Sequence, residues 1–216
     1  MNILFTLNDA FVPQVATCMC SIFENNKSAE NITVYLIGER ISQENQNKLK
    51  GFAKSYDRKV CIISINNIAD YIDFDFDTNG WSSIILARLF LDKLLPQEVD
   101  RILYLDGDTL VLEDLGSLFY SDLGDKVIGM CPEPTVDKSR KEFLALKEYP
   151  YHNSGVLLID LKKWRREEIG KKVIEFYQFH EGKLFAPDQD ALNGALKEQI
   201  FTLPISFNYF NIYDVY

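Results

Sequence analysis

The chain has 216 residues, 47% hydrophobic and 25% charged, with a formal net charge of −9. That length suffices for one sizeable core, and the composition is that of an ordinary soluble globule. The acidic balance argues against nonspecific nucleic-acid binding, which needs a basic face, and no apolar run approaches the roughly 18 residues of a membrane span.

Residues 2–7 are a short apolar run ending at Thr6-Leu7-Asn8-Asp9, and the spacing predicts a strand. The opening residues lack the basic and long apolar regions of a signal peptide. Polar groups at a first strand's carboxyl end suit a ribose or a base; Asn8 or Asp9 equally suits the cap of the next helix. That helix is predicted over 13–24, with Pro13 in its first turn. A second strand is expected over 32–38, then a polar helix from Ser42 to residue 56, whose Ser42-x-x-Asn45 start loosely resembles a capping box. A third strand over 59–65 completes the βαβ pattern of a parallel sheet. The four cysteines, Cys18, Cys20, Cys61 and Cys131, contain no C-x-x-C pair. They read as buried or free thiols in a reducing compartment, and a cytoplasmic location is expected.

Residues 70–79 are acidic and aromatic and read as a loop. Residues 82–95 are apolar on nearly every side, which predicts a buried helix ended by Pro96. Arg88 in its middle must then pair with a core carboxylate or with an anionic or sugar ligand. Next comes Arg101-Ile102-Leu103-Tyr104-Leu105-Asp106-Gly107-Asp108, a buried strand ending in two aspartates one residue apart. In open α/β sheets the ligand crevice lies outside the carboxyl ends of the strands. Two carboxylates there repel each other, so a cation or a raised pKa is needed, and Mg²⁺ or Mn²⁺ with phosphate oxygens suits such a pair. Gly107 lets the backbone turn tightly or approach a ligand. Asp-Gly is also a common turn pair, so a solvated acidic turn is the competing account.

A strand is expected over 127–131 and a mixed-charge helix over 139–149, within an insertion able to move. His152-Asn153-Ser154-Gly155 opens a strand over 156–161, and these small polar residues lie either beside a ligand or simply in a turn. A long helix is expected over 162–180, its Lys162, Lys163, Arg165 and Arg166 forming a solvated face or a membrane-surface contact. A last helix starts near residue 186. There Asp188 serves as its cap, or the acidic cluster places a carboxylate and an amide at a reacting centre.

Taken in order, four blocks resemble glycosyltransferase family 8, the family of bacterial lipooligosaccharide galactosyltransferases and glycogenin. They are Leu4-Phe5-Thr6-Leu7-Asn8-Asp9, Ala87-Arg88-Leu89, Tyr104-Leu105-Asp106-Gly107-Asp108-Thr109-Leu110-Val111 and Asn153-Ser154-Gly155-Val156-Leu157-Leu158. Leu161-Lys162-Lys163-Trp164-Arg165 and Asp188-Gln189-Asp190-Ala191-Leu192-Asn193 follow. The resemblance implies a GT-A fold: one Rossmann-like α/β domain over 1–216 with a mainly parallel central sheet. It implies a retaining, Mn²⁺- or Mg²⁺-dependent transfer of galactose or glucose from a UDP-sugar donor to a glycan acceptor. By position, Asp106 and Asp108 would bind the metal, with Asp106 and Gly107 also beside the donor. Thr6, Asn8 and Asp9 would hold the uridine. Arg88, Asn153, Ser154, Asp188 and Gln189 would line the donor sugar, the last two at the reacting carbon.

Family members usually have Asp where Asn8 stands. They also continue into a His-x-x-Gly-x-x-Lys-Pro-Trp segment, whose His completes the metal shell and whose Lys pairs with phosphate. This sequence ends at Tyr216 before such a segment. The expectation is a fragment with weakened metal and phosphate binding and low turnover, its full-length form a candidate for peripheral membrane association. A non-catalytic nucleotide-sugar-binding module is the alternative. A dehydrogenase is disfavoured because the first strand's end lacks G-x-G-x-x-G.

Overall fold

The computed structural model describes residues 1–214. The apolar runs become strands of one sheet, and the amphipathic stretches between them become the helices that cover it. In chain order these are β1 (Asn2–Asn8), α1 (Val12–Asn25), β2 (Thr33–Glu39), α2 (Gln43–Ser55), β3 (Lys59–Ile65) and α3 (Leu91–Leu94). Then come β4 (Arg101–Leu105), α4 (Gly116–Phe119), β5 (Ile128–Pro132), α5 (Lys138–Phe143) and β6 (His152–Asp160). The chain continues with α6 (Leu161–Arg166), α7 (Ile169–Phe179), α8 (Pro187–Leu196) and β7 (Ile200–Thr202).

The strand order is β3-β2-β1-β4-β6-β5-β7. Among the described residues, β1 runs parallel to β2 and β4, β2 to β3, and β5 to β7, while β6 is antiparallel to both β4 and β5. The sheet is therefore mixed and mainly parallel. Strands β1 to β3 are the parallel βαβ run that the sequence pattern predicts, the mainly parallel character is what the resemblance implied, and the antiparallel β6 was not expected. Side chains alternate across it with period two. Leu4, Ile102, Tyr104, Leu157 and Ile159 face residues 84–95 and α6 to α8. Ile3, Phe5, Leu103, Leu105 and Leu158 face α1 and α2. Each such fully buried side chain contributes about 1.5–3 kcal/mol, so both faces hold the strands in register.

The reversal of β6 positions the site. Leu105 pairs with Val156, so the amino end of β6 lies beside the carboxyl end of β4. The Asp106 amide then donates to Gly155 O at 2.8 Å.

Several element expectations change. Residues 82–95 are buried as expected but form a 3₁₀ stretch, Ser83–Leu89, followed by the four-residue α3. Composition that is apolar on all sides dictates burial and leaves the helix type to tertiary packing. The helix expected over 139–149 is only the six-residue α5, and left-handed backbone at Ala145 and Lys147 ends it. Leu144 and Leu146, both fully buried, and Arg140, bonded to Asp190, anchor this segment. The long helix over 162–180 is two helices, broken where Glu168 adopts φ 52°. Arg165 spends its guanidinium on the carbonyls of Leu95, Pro96, Gln97 and Val99, and Arg166 pairs with Glu167. Much of the basic face is thus consumed within the chain. Asp188 is not a cap: Ala186 holds that position, Pro187 begins the helix, and the Asp190 carboxylate accepts from Ala186 N at 3.0 Å. All four cysteines are free thiols, and burial pushes Cys18 up to about 11. No helix among the described residues is long and apolar enough to cross a membrane.

Gly182 ties the acidic loop to the end of α7. It sits at φ 65°, and a Cβ there would lie 2.3 Å from Asp75 O and 2.7 Å from Phe76 Cα. Neither obstacle is a flexible side-chain tip, so the strain has no local outlet. Gly182→Ala is expected to cost about 2 kcal/mol. Urea denaturation checks this; a midpoint unchanged from wild type would contradict it.

Candidate functional site

Asp106 follows β4 in a turn closed by Thr109, whose amide and Oγ1 both donate to Asp106 O. Gly107 is buried against α1, and a Cβ on it would come within 2.6 Å of Val15 Cγ2 and 3.0 Å of Phe11 Cε1. The glycine therefore serves close packing between the turn and the start of α1. Asp106 and Asp108 open into a cavity of about 340 Å³ at the carboxyl ends of β1 and β4. Thr6, Asn8, Phe11, Trp81, Arg88 and Tyr104 also line it, as do Asp188 and Gln189 from the first turn of α8. A larger depression of about 650 Å³, around Asp70, Asp92 and Arg165, shares none of these residues.

Arg88 is the hub. Its side chain is 4% exposed and reaches Asp106 Oδ1 at 3.1 Å and Asp188 Oδ2 at 3.0 Å. It also donates to Ser154 O at 2.9 Å, to Ser154 Oγ at 3.2 Å and to the Tyr104 hydroxyl. Burial works against its charge, but Asp188, Tyr104 and Asp106 more than offset that and raise its pKa above the ordinary value. Burial pushes the Asp188 carboxyl up, Arg88 pulls it back, and Asp106 adds repulsion. One guanidinium thus serves two carboxylates.

Tyr104 donates to Asp106 Oδ1 at 2.6 Å, and Thr6 Oγ1 lies 3.3 Å from its hydroxyl. Sequence reasoning passed over Tyr104, although residues two apart in a strand share a face, and Tyr104 and Asp106 are two apart. Ser154 stands one layer behind the cavity wall. Its Oγ donates to Asp188 Oδ2 at 3.0 Å and its amide to Gln189 Oε1 at 2.9 Å. Asn153 accepts from Gly155 N at 2.7 Å and Asn208 Nδ2 at 2.8 Å, and its own amide donates to Glu133. It borders Asp106 across Gly155, where a Cβ would lie 3.0 Å from Asp106 Oδ2.

Two expected uridine contacts are placed differently from each other. Asn8 lines the cavity and its Oδ1 also accepts from Phe11 N, capping the short turn Asp9–Phe11. Asp9 is not among the cavity-lining residues. Its Oδ1 accepts from Ser42 N and Asn45 Nδ2 at 2.8 Å each, bonds that hold its pKa below the ordinary value. His180 ends α7 against Phe143, Phe176 and Phe179, away from these groups. Phe11 and Trp81 were not singled out in the sequence; both line the cavity.

The donor set fits a hard divalent cation. Asp106 is partly exposed and Asp108 exposed, both on the cavity wall. Among the described residues no cluster of three or more His, Cys, Asp or Glu could hold a metal. Two carboxylates with the remaining positions left to phosphate oxygens and water is the arrangement Mg²⁺-type sites use.

Known proteins bear on these groups. The chain is 29% identical over 212 residues to a putative glycosyltransferase of Haemophilus influenzae, covering 97% of this chain and 63% of that protein. It is 28% identical over 215 residues to lipopolysaccharide 1,2-glucosyltransferase of Escherichia coli K12, covering 96% and 62%. It therefore spans less than two thirds of either. The crystal structure of galactosyltransferase LgtC, in complex with donor and acceptor sugar analogues, matches with a TM-score of 0.89 at 27% identity. That match covers 100% of this chain and 77% of LgtC, and it gives the fold as GT-A. The model of the family described as glycosyl transferase family 8 matches residues 2–215, and the chain belongs to that family.

Proposed function

We propose that this chain carries the donor site of a retaining, Mn²⁺- or Mg²⁺-dependent hexosyltransferase. It takes galactose or glucose from a UDP-sugar and passes it to a glycan acceptor of the bacterial surface, a polysaccharide or lipooligosaccharide. The observation that carries this reading is the pair Asp106 and Asp108 opening into the same cavity as Arg88, Asp188 and Gln189.

When bound at Asp106 and Asp108, the cation supplies Lewis-acid stabilisation of the diphosphate leaving group. Tyr104 and Arg88 hold Asp106 Oδ1, so that carboxylate is oriented before any ligand arrives. Phe11 and Trp81 line the cavity and are aromatic residues available to pack on the base or sugar. Neither nearby buried carboxylate is free to act as a nucleophile. Asp188 is committed to Arg88 and Ser154, and Asp190, 1% exposed, to Arg140 and Tyr151. The amide of Gln189 is a poor nucleophile. These points favour attack by the acceptor hydroxyl on the face the leaving group departs from; a glycosyl adduct trapped on Asp188 or Asp190 would overturn that.

The test is calorimetric titration of UDP with Mn²⁺ and with EDTA, in wild type and Asp108→Ala. Binding is expected to require the metal and to weaken at least about tenfold in the variant. Metal-dependent UDP binding without sugar transfer would point instead to a nucleotide-sugar-binding module. Binding indifferent to both EDTA and the substitution would remove the proposed role of Asp106 and Asp108.

A further inference from the structure

Gln189 is held at both ends of its amide. Its Oε1 accepts from Ser154 N at 2.9 Å, and a backbone amide can only donate, so the oxygen and nitrogen cannot be exchanged. Its Nε2 donates to the Tyr151 hydroxyl at 3.1 Å. That hydroxyl is itself saturated: it donates to Asp190 Oδ1 at 2.6 Å and accepts from Arg140 Nη2 at 2.9 Å. A phenolic oxygen has one proton and two lone pairs, and all three are used here.

The layer behind Tyr151 is built with equal care. Asp190 Oδ1 also accepts from Arg140 Nε at 2.9 Å and Nη2 at 2.7 Å, and Oδ2 accepts from Ala186 N. The Arg140 guanidinium lies 5.1 Å from the Tyr151 ring centre and 4.6 Å from that of Phe185. Of Arg140, Asp190, Tyr151 and Gln189, Gln189 alone lines the cavity. A chain of forced hydrogen bonds thus runs from α5 through Asp190 and Tyr151 to the one amide that does.

We propose that Tyr151, locked by Arg140 and Asp190, is a positioning residue that fixes the direction of the Gln189 amide. With Oε1 turned to Ser154 and one N–H given to Tyr151, the second Nε2 proton remains for the cavity. Gln189 then meets its ligand as a hydrogen-bond donor. The kinetic part of this inference rests on the transferase reading above; the orientation of the amide does not.

The experiment is Tyr151→Phe, which keeps the ring under Arg140 and leaves Asp190 paired. In ¹⁵N-labelled protein the side-chain amide protons of Gln189, assigned by their loss in Gln189→Ala, are expected to shift and to exchange with water about five- to tenfold faster. In UDP-sugar turnover, kcat is expected to fall by a similar factor with the donor KM unchanged. In a Gln189→Ala background the same substitution is expected to change kcat by less than about twofold. Equal losses in both backgrounds, or Gln189 resonances and exchange unmoved in Tyr151→Phe, overturn the proposal. Should Tyr151→Phe not fold, Arg140→Lys keeps a cation at Asp190 but removes the fork that also reaches Tyr151. Unchanged Gln189 exchange in that folded variant is equally fatal. A wild type that turns over no UDP-sugar fails the transferase reading, and the exchange measurement still decides this one.

Discussion

Arg88→Ala is expected to lower stability by about 3–5 kcal/mol, because it breaks a buried ion pair and leaves the partner charge behind. Asp188 is 5% exposed, and the guanidinium is the cation it touches. The same substitution leaves Ser154 O without its Arg88 donor and takes one donor from Asp106. Arg88→Lys keeps a charge but cannot reproduce a planar fork that reaches two carboxylates and a carbonyl at once, so it should recover only part of the loss. Asp188→Asn offers the decisive control. Combining it with Arg88→Ala removes the stranded charge, so the double variant should be more stable than the sum of the two single losses implies. Urea denaturation of the four proteins measures this. A loss below about 1 kcal/mol for Arg88→Ala, or strictly additive losses, would show that the pair does not anchor this part of the core.

Much of this was legible because burial leaves a strong mark on sequence. The D-x-D strand reads as an apolar run stopped by charge, and an arginine among apolar residues can only be paired. What the sequence did not carry is direction. Asp9 reads equally well as a ligand contact or a cap. Its true partners follow from topology: β2 lies beside β1 with Asn8 opposite Glu39, so the start of α2 comes to rest against Asp9. The Arg140–Asp190–Tyr151 group joins residues 39 and 50 positions apart, and no local spacing encodes such a meeting. The 3₁₀ stretch at Ser83–Leu89 was invisible for another reason, since a segment apolar on nearly every side has little periodicity to betray its helix type.

His152 tests the same packing through pH. Its ring is 2% exposed, Nε2 lies 2.9 Å from Thr202 Oγ1, and Nδ1 has no hydrogen-bond partner. Asn193 grips its backbone on both sides, accepting from His152 N at 2.7 Å and donating to His152 O at 2.8 Å. Burial lowers the ring's pKa from 6.5 to about 4, with a small opposing contribution from Asn193. Between those values the unfolded chain binds a proton that the folded one refuses, so stability falls as pH drops from about 6.5 toward about 4. The full loss is about 3 kcal/mol, of which about 2 kcal/mol is spent between pH 7 and pH 5. Asp188, raised by burial, works in the opposite sense, so the wild-type profile alone does not isolate the histidine. His152→Gln does, because it keeps a polar group opposite Thr202 and cannot charge. Urea denaturation at pH 7, 6 and 5 should give the variant the flatter profile, by about 2 kcal/mol over that interval. Parallel profiles for the two proteins would mean that the imidazole finds a route to protonation inside the fold.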